Sequence, residues 1–214
     1  MNVKRVVFVL VLTALFGCST IYYGAMEKVG IHKRDIMVDR IKDARDSQND
    51  AKEQFRSALE QFRSVVSYQG GDLEKEYNRF DKTLRKTEAG AERVRERIKA
   101  VEDVSRALFK EWRQEIEQYS SDSLRKASQR KYDLTYKKYT ELITAMKKAE
   151  SRLEPALAPL RDQVLFMKHN LNARAIAGLS DEVVGIQSNV DQLVSEMEKA
   201  VNQADAFIRT LEEE

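Results

Sequence analysis

Residues 179–211 read LSDEVVGIQSNVDQLVSEMEKAVNQADAFIRTL. Leu179, Val183, Ile186, Val190, Leu193, Met197, Ala200, Ala204, Phe207 and Leu211 follow one another at alternating steps of four and three. Steps averaging three and a half residues are the period of helices packed in coiled-coil fashion. Val194, Val201 and Ile208 widen the stripe. A third apolar position in seven implies contact with more than one neighbouring helix, so a bundle is expected rather than a lone hairpin. A second copy of the chain could also cover so wide a stripe, which leaves a homo-oligomer open. Ser180 can cap this helix, with Asp181 and Glu182 favourably placed against its N-terminal dipole.

The same ladder runs backward through the chain. A third stretch carries Tyr132, Thr135, Tyr139, Leu142, Met146, Ala149, Leu153, Ala156, Leu160, Gln163 and Met167. Pro155 and Pro159 lie inside it, so a kink or short interruption is expected near Leu153. The heptad phase survives both prolines, which favours a kinked helix over a domain boundary. A second stretch runs from Leu73 through Phe80, Leu84, Val94, Ile98 and Val101 to Trp112. A first carries Met37, Ile41, Ala44, Gln48, Ala51, Phe55, Ala58, Phe62 and Val65, with Gln48 its only position unsuited to burial. Gly70-Gly71-Asp72 and Ser120-Ser121-Asp122-Ser123 separate these stretches with turn and N-cap chemistry. Trp112 and the trio Tyr132, Tyr136 and Tyr139 are read as packing residues.

The expected fold is therefore all-α: an elongated, antiparallel, coiled-coil-like bundle of four long helices running up-down-up-down, with a proline kink in the third. Helices of about 45 residues would be roughly 65–70 Å long. Two long hairpins stacked end to end remain an alternative on this pattern.

The N-terminus has a different character. Lys4 and Arg5 precede an apolar run from Val6 to Phe16, and Leu15-Phe16-Gly17-Cys18 follows. The run fits a secretory signal and is too short to span a bilayer, which takes about 20 residues. Cys18, the only cysteine in the chain, stands where the bacterial lipobox places its lipidated residue; Phe16 is bulkier than that motif usually has, and an ordinary signal peptide is the alternative. Residues 1–17 are expected to be a signal peptide, 18–33 a lipidated tether and 34–214 one helical domain. Several acyl chains on Cys18 would anchor the protein stably. Ser19 after the cysteine, in the lipoproteins this resembles, implies the outer membrane, facing the periplasm. Ile21, Tyr22 and Tyr23 could rest at headgroup level or pack on the bundle base.

Charge narrows the partners. Without Lys4 and Arg5, the remaining 35 basic residues balance 35 acidic ones. A neutral chain lacks the basic stripe that nucleic acid requires, and it argues against membrane binding by charge alone. No phosphate loop, serine-nucleophile motif or zinc spacing is present. The two histidines, His32 and His169, lack the Glu three residues earlier that di-iron bundles use. No enzyme, metal or cofactor is expected. The carboxylates alternate with Lys and Arg and read as a solvated face.

The least generic stretch is Lys168-His169-Asn170-Leu171-Asn172-Ala173-Arg174, where two asparagines lower helix propensity. In an up-down-up-down bundle it falls at the same end as the Gly70-Gly71 turn. Tyr68, Gly70, Gly71, Lys168, His169, Asn170, Asn172 and Arg174 are thus a candidate partner-binding tip, and the two segments are expected to touch. A helix C-terminus with basic residues set against its dipole is the simpler account.

Three stretches, HKRDIMVDRIKDARDSQNDAKEQF from His32, GGDLEKEYNRF from Gly70 and DQVLFMKHNLNARAIAGL from Asp162, resemble a bacterial family described as a domain of unknown function and numbered twenty-nine fifty-nine. The likeness covers roughly residues 30 to 210 and implies no activity, substrate or catalytic residue. The expectation is a lipid-anchored structural or interaction protein of the cell envelope, reaching an envelope protein or the cell wall. The alternative is a bundle that opens to hold an apolar ligand or an unfolded client.

Overall fold

The computed structural model describes residues 32–212 except 69, 71, 173–175 and 177. Helices α1 (Lys33–Val66), α2 (Leu73–Gln118), α3 (Asp122–Ser151), α4 (Leu153–His169) and α5 (Glu182–Glu212) make up nearly all of it, with no strand among the described residues. The expected signal peptide, the expected tether up to Ile31 and Cys18 lie outside the described residues.

Local chemistry sets the boundaries. Asp72 caps α2 by accepting a hydrogen bond from the Lys75 backbone N–H at 3.0 Å, and Gly70 adopts φ +135°, a conformation that side-chain-bearing residues rarely enter. Ser121 caps α3 through the Leu124 N–H at 3.5 Å. The interruption predicted near Leu153 falls at Arg152. Pro155 has no N–H for the Ser151 carbonyl and its ring crowds that carbonyl, so one turn opens. Arg152 N–H turns back to the Ala149 carbonyl (3.1 Å) and its own carbonyl takes the Ala156 N–H (3.3 Å). Pro155 then sits in the first turn of α4, where no intrahelical partner is needed. Pro159 is carried inside α4.

The helices close into a ring. α1 packs between α2 and α5, the α3–α4 rod packs between α2 and α5 on the other side, and helices across the diagonal hardly meet. That is a four-helix bundle, and it rules out two hairpins joined only end to end. The α1 ladder from Met37 to Val65 is buried throughout, Gln48 included. On α5, Ile186, Val190, Leu193, Met197, Ala200, Ala204, Phe207 and Leu211 are buried, as are the widening residues Val194 and Ile208. Each fully buried large apolar side chain contributes about 1.5–3 kcal/mol. The α1–α2 contact is the most extensive, and the Gln54 side chain of α1 lies over Gly90, in the space a Cβ would take.

Ion pairs fix the registers between helices. Arg45–Asp205 (2.9 Å) joins α1 to α5, Arg97–Asp43 (3.1 Å) joins α2 to α1, Arg161–Glu88 (2.7 Å) joins α4 to α2, and Lys148–Glu196 (3.2 Å) joins α3 to α5. Exposed pairs of this kind contribute about 0–1 kcal/mol each. They serve better as a ruler. Read along antiparallel neighbours, they place the four helices at unequal heights, and both ends of the rod follow from that.

Candidate functional site

At the Gly70 end, α1 stops and α2 and α5 begin near one level, as the Gln61–Glu76 hydrogen bond (3.2 Å) and the contact of Arg63 with Gln187 indicate. α4 stops short of that level. Arg161 is opposite Glu88, and the eight residues from there to His169 reach only about the height of Phe80. The α4–α5 connection fills the step. Its Ile176 and Leu179 are buried, so this connection contributes its own apolar residues to the end of the core.

The predicted tip residues fall here. Tyr68 is half-buried, and its backbone N–H bonds to the Val65 carbonyl (3.1 Å). Lys168 and His169 are exposed in the last turn of α4. Asn170 is the C-cap: its side-chain amide donates to the Phe166 carbonyl at 2.9 Å. Asn172 is exposed, and its carbonyl takes the Ile176 N–H at 3.1 Å. Gly71 and Arg174 lie outside the described residues. The structure thus brings both segments to one end of the bundle and gives Asn170 a structural task. It also shows what the pattern hid: Leu165 and Phe166 are 60% and 42% exposed, Leu171 is 39% exposed and Val184 74%. Leu165 and Phe166 share the outer surface of α4 with Asp162 and His169, one turn away on either side.

The opposite end is built differently. Lys33, the first residue of α1, pairs with Glu111 of α2 at 2.9 Å. α2 continues to Gln118, on the order of 10–15 Å past the start of α1. On the other side, Lys138 bonds Thr210 (2.9 Å), so the first turns of α3 likewise project past Glu212 by roughly 15–20 Å. The α2–α3 hairpin therefore stands proud of α1 and α5.

An aromatic cluster ties that hairpin together. Phe109 meets Tyr132 and Tyr136 edge-on at 5.7 and 5.0 Å, Tyr132 stacks on Tyr136 at 5.8 Å, and Trp112 meets Tyr132 edge-on at 5.7 Å. Trp112 donates its indole N–H to Ser128 Oγ (3.0 Å), and Arg113 donates to the Tyr132 hydroxyl (2.8 Å). Burial pushes the Tyr139 hydroxyl above its ordinary pKa. The packing role expected of Trp112 and Tyr132 is what the contacts show, but Tyr136 is 45% exposed. A groove of about 500 Å³ runs beside the cluster, lined by Arg106, Phe109, Lys110 and Arg113 of α2 and by Tyr136 and Tyr139 of α3. A second hollow, about 480 Å³, occupies the step between hairpin and bundle, where Trp112, Tyr119, Leu124 and Leu211 line it.

Among the described residues no group of His, Cys, Asp and Glu could hold a metal ion, and no helix is long and apolar enough to cross a membrane. The family described as "Protein of unknown function (DUF2959)" matches residues 22–211. The chain belongs to the DUF2959 family. The DUF2959 match takes in both ends of the rod, the Gly70 turn and α4–α5 connection as well as the α2–α3 hairpin. No curated protein and no solved structure matches the chain.

Proposed function

We propose that this DUF2959 protein is a lipid-anchored rod of the bacterial cell envelope, held through Cys18 on the periplasmic face of the outer membrane, whose Gly70 end meets a protein or cell-wall partner. The observation that carries the reading is the position of Leu165 and Phe166. They face water beside Lys168 and His169, at the end remote from where α1 begins. Adjacent large apolar side chains left uncovered beside polar groups are the composition of an interaction surface. With α2 alone roughly 70 Å long, an anchor before α1 would hold that surface far from the bilayer.

The filled core favours this rod over a bundle that opens around a ligand. Phe55, Phe62, Phe80, Phe207 and Leu160 are fully enclosed between the helices, and the hollows described above are surface grooves. Two measurements test the proposal. Growth in labelled palmitate is expected to label the protein through Cys18; unlabelled protein in the soluble periplasmic fraction would remove the anchor. Photocrosslinkers at Tyr68, Leu165 and Asn172 are expected to capture one envelope partner in cells. Capture only from positions near Ser121 would place the partner at the wrong end.

A further inference from the structure

The neutral balance of the chain conceals a local excess. Residues 120–140 hold six Lys and Arg against Asp122 and Asp133. This is the projecting part of α3 and the turns just behind it. Lys126, Arg130 and Lys137 are exposed on a single outer face of the helix, and none of them makes an ion pair among the described residues. Arg56, Arg95, Arg97 and Arg161, by contrast, are tied to carboxylates on the same or the next helix. The same projection exposes Tyr119 (39%), Leu124 (56%) and Leu134 (51%). Unpaired cations along one face of α3, with Leu134 beside them and Tyr119 and Leu124 at the tip, match what an interfacial membrane-binding element presents: charge for anionic headgroups, and apolar side chains for the boundary below them.

We infer that the projecting α2–α3 hairpin docks on an anionic lipid surface, with Lys126, Arg130 and Lys137 supplying the attraction and Tyr119 and Leu124 entering the headgroup layer. The hairpin lies at the end where α1 begins, so the inference rests on the anchoring proposal for its choice of membrane, and it adds a second, non-covalent point of attachment. An acidic protein would satisfy the cations alone; the exposed Leu and Tyr side chains are what favour lipid.

The test uses the full-length chain carrying Leu124→Cys, purified from membranes, with its mass reporting whether Cys18 carries lipid. An environment-sensitive dye on the Leu124→Cys thiol is followed after reconstitution into vesicles of phosphatidylcholine alone or with one-third phosphatidylglycerol. With phosphatidylglycerol, iodide quenching is expected to drop at least threefold and the emission to shift to the blue. Added salt is expected to reverse this, and Lys126→Glu/Arg130→Glu/Lys137→Glu to abolish it while leaving helical circular dichroism unchanged. If that triple variant misfolds, Tyr119→Ser, on the exposed loop, is expected to weaken protection in its place. Equal quenching in both vesicles would overturn the inference, as would protection by polyglutamate that matches or exceeds that by phosphatidylglycerol. Failure of the anchor reads differently: protein without lipid on Cys18 would leave phosphatidylcholine vesicles, yet it would still bind those with phosphatidylglycerol if the hairpin docks.

Discussion

Both ends of the rod leave large apolar side chains in water, but they do so in opposite electrostatic settings. At the Gly70 end, Leu165, Phe166 and Val184 stand in a stretch, residues 161–184, whose three basic and three acidic residues balance. At the hairpin end, Leu124 and Leu134 stand in residues 120–140, which hold six basic and two acidic residues. The core also finishes differently. Ile176 and Leu179 close it at the Gly70 end, whereas at the other end two helices simply outlast their neighbours. One heptad ladder thus yields two kinds of surface through the relative heights of the helices. Apolar area with balanced charge suits a protein partner, and apolar area with unpaired cations suits an anionic surface.

The sharpest way to break the comparison is to measure what each end contributes to folding. Phe62 is fully buried near the Gly70 end against Phe80, with ring centroids 5.6 Å apart. Phe62→Ala is expected to cost about 3–5 kcal/mol in urea unfolding. Ile176→Ala, in the connection that closes the core, is expected to cost about 2–4 kcal/mol; a loss below about 0.5 kcal/mol would mean that the connection does not seal that end. Tyr136→Ala, at the open groove, is expected to cost about 1 kcal/mol, chiefly lost ring contacts. A cost equal to that of Phe62→Ala would erase the distinction between a closed and an open end.

The smallest effect concerns the surface ion pairs. Hydrogen bonds from Arg161 hold the Glu154 carboxyl below its ordinary pKa, and those from Lys199 do the same for Glu196. A lowered folded-state pKa contributes stability that is present above the unfolded value and is lost as pH falls through the folded one. The melting temperature is therefore expected to be level from pH 7 to about 5 and to decline below about 4. Glu154→Gln is expected to flatten part of that decline; an unchanged profile would show that these pairs contribute nothing to stability.

Much of this was legible because it is local. A Gly70 turn, caps at Asp72 and Ser121 and a break forced by Pro155 each depend on a few adjacent residues, and the heptad ladders name the buried face. What could not be read was height. Which layer of α3 faces which layer of α5 depends on how four ladders interlock, and periodicity repeats identically at every seventh residue. The projecting hairpin, and with it the exposure of Leu124 and Tyr136, was therefore hidden. The candidate tip was legible only in part. Asn170 was noticed for its low helix propensity and proves to be a C-cap, whereas Leu165 and Phe166 gave no sign that α4 would leave them uncovered.

The break at Arg152 bears on how such a rod responds to force. α1, α2 and α5 run without interruption past its level, while the α3–α4 side has lost the hydrogen bond that Pro155 cannot donate. Stiffness is thus unequal around the circumference. A sideways push, such as an envelope layer shifting against its neighbour, would meet least resistance at that joint, and Pro155→Ala would restore one of the two hydrogen bonds the prolines remove, Pro159 still withholding the other.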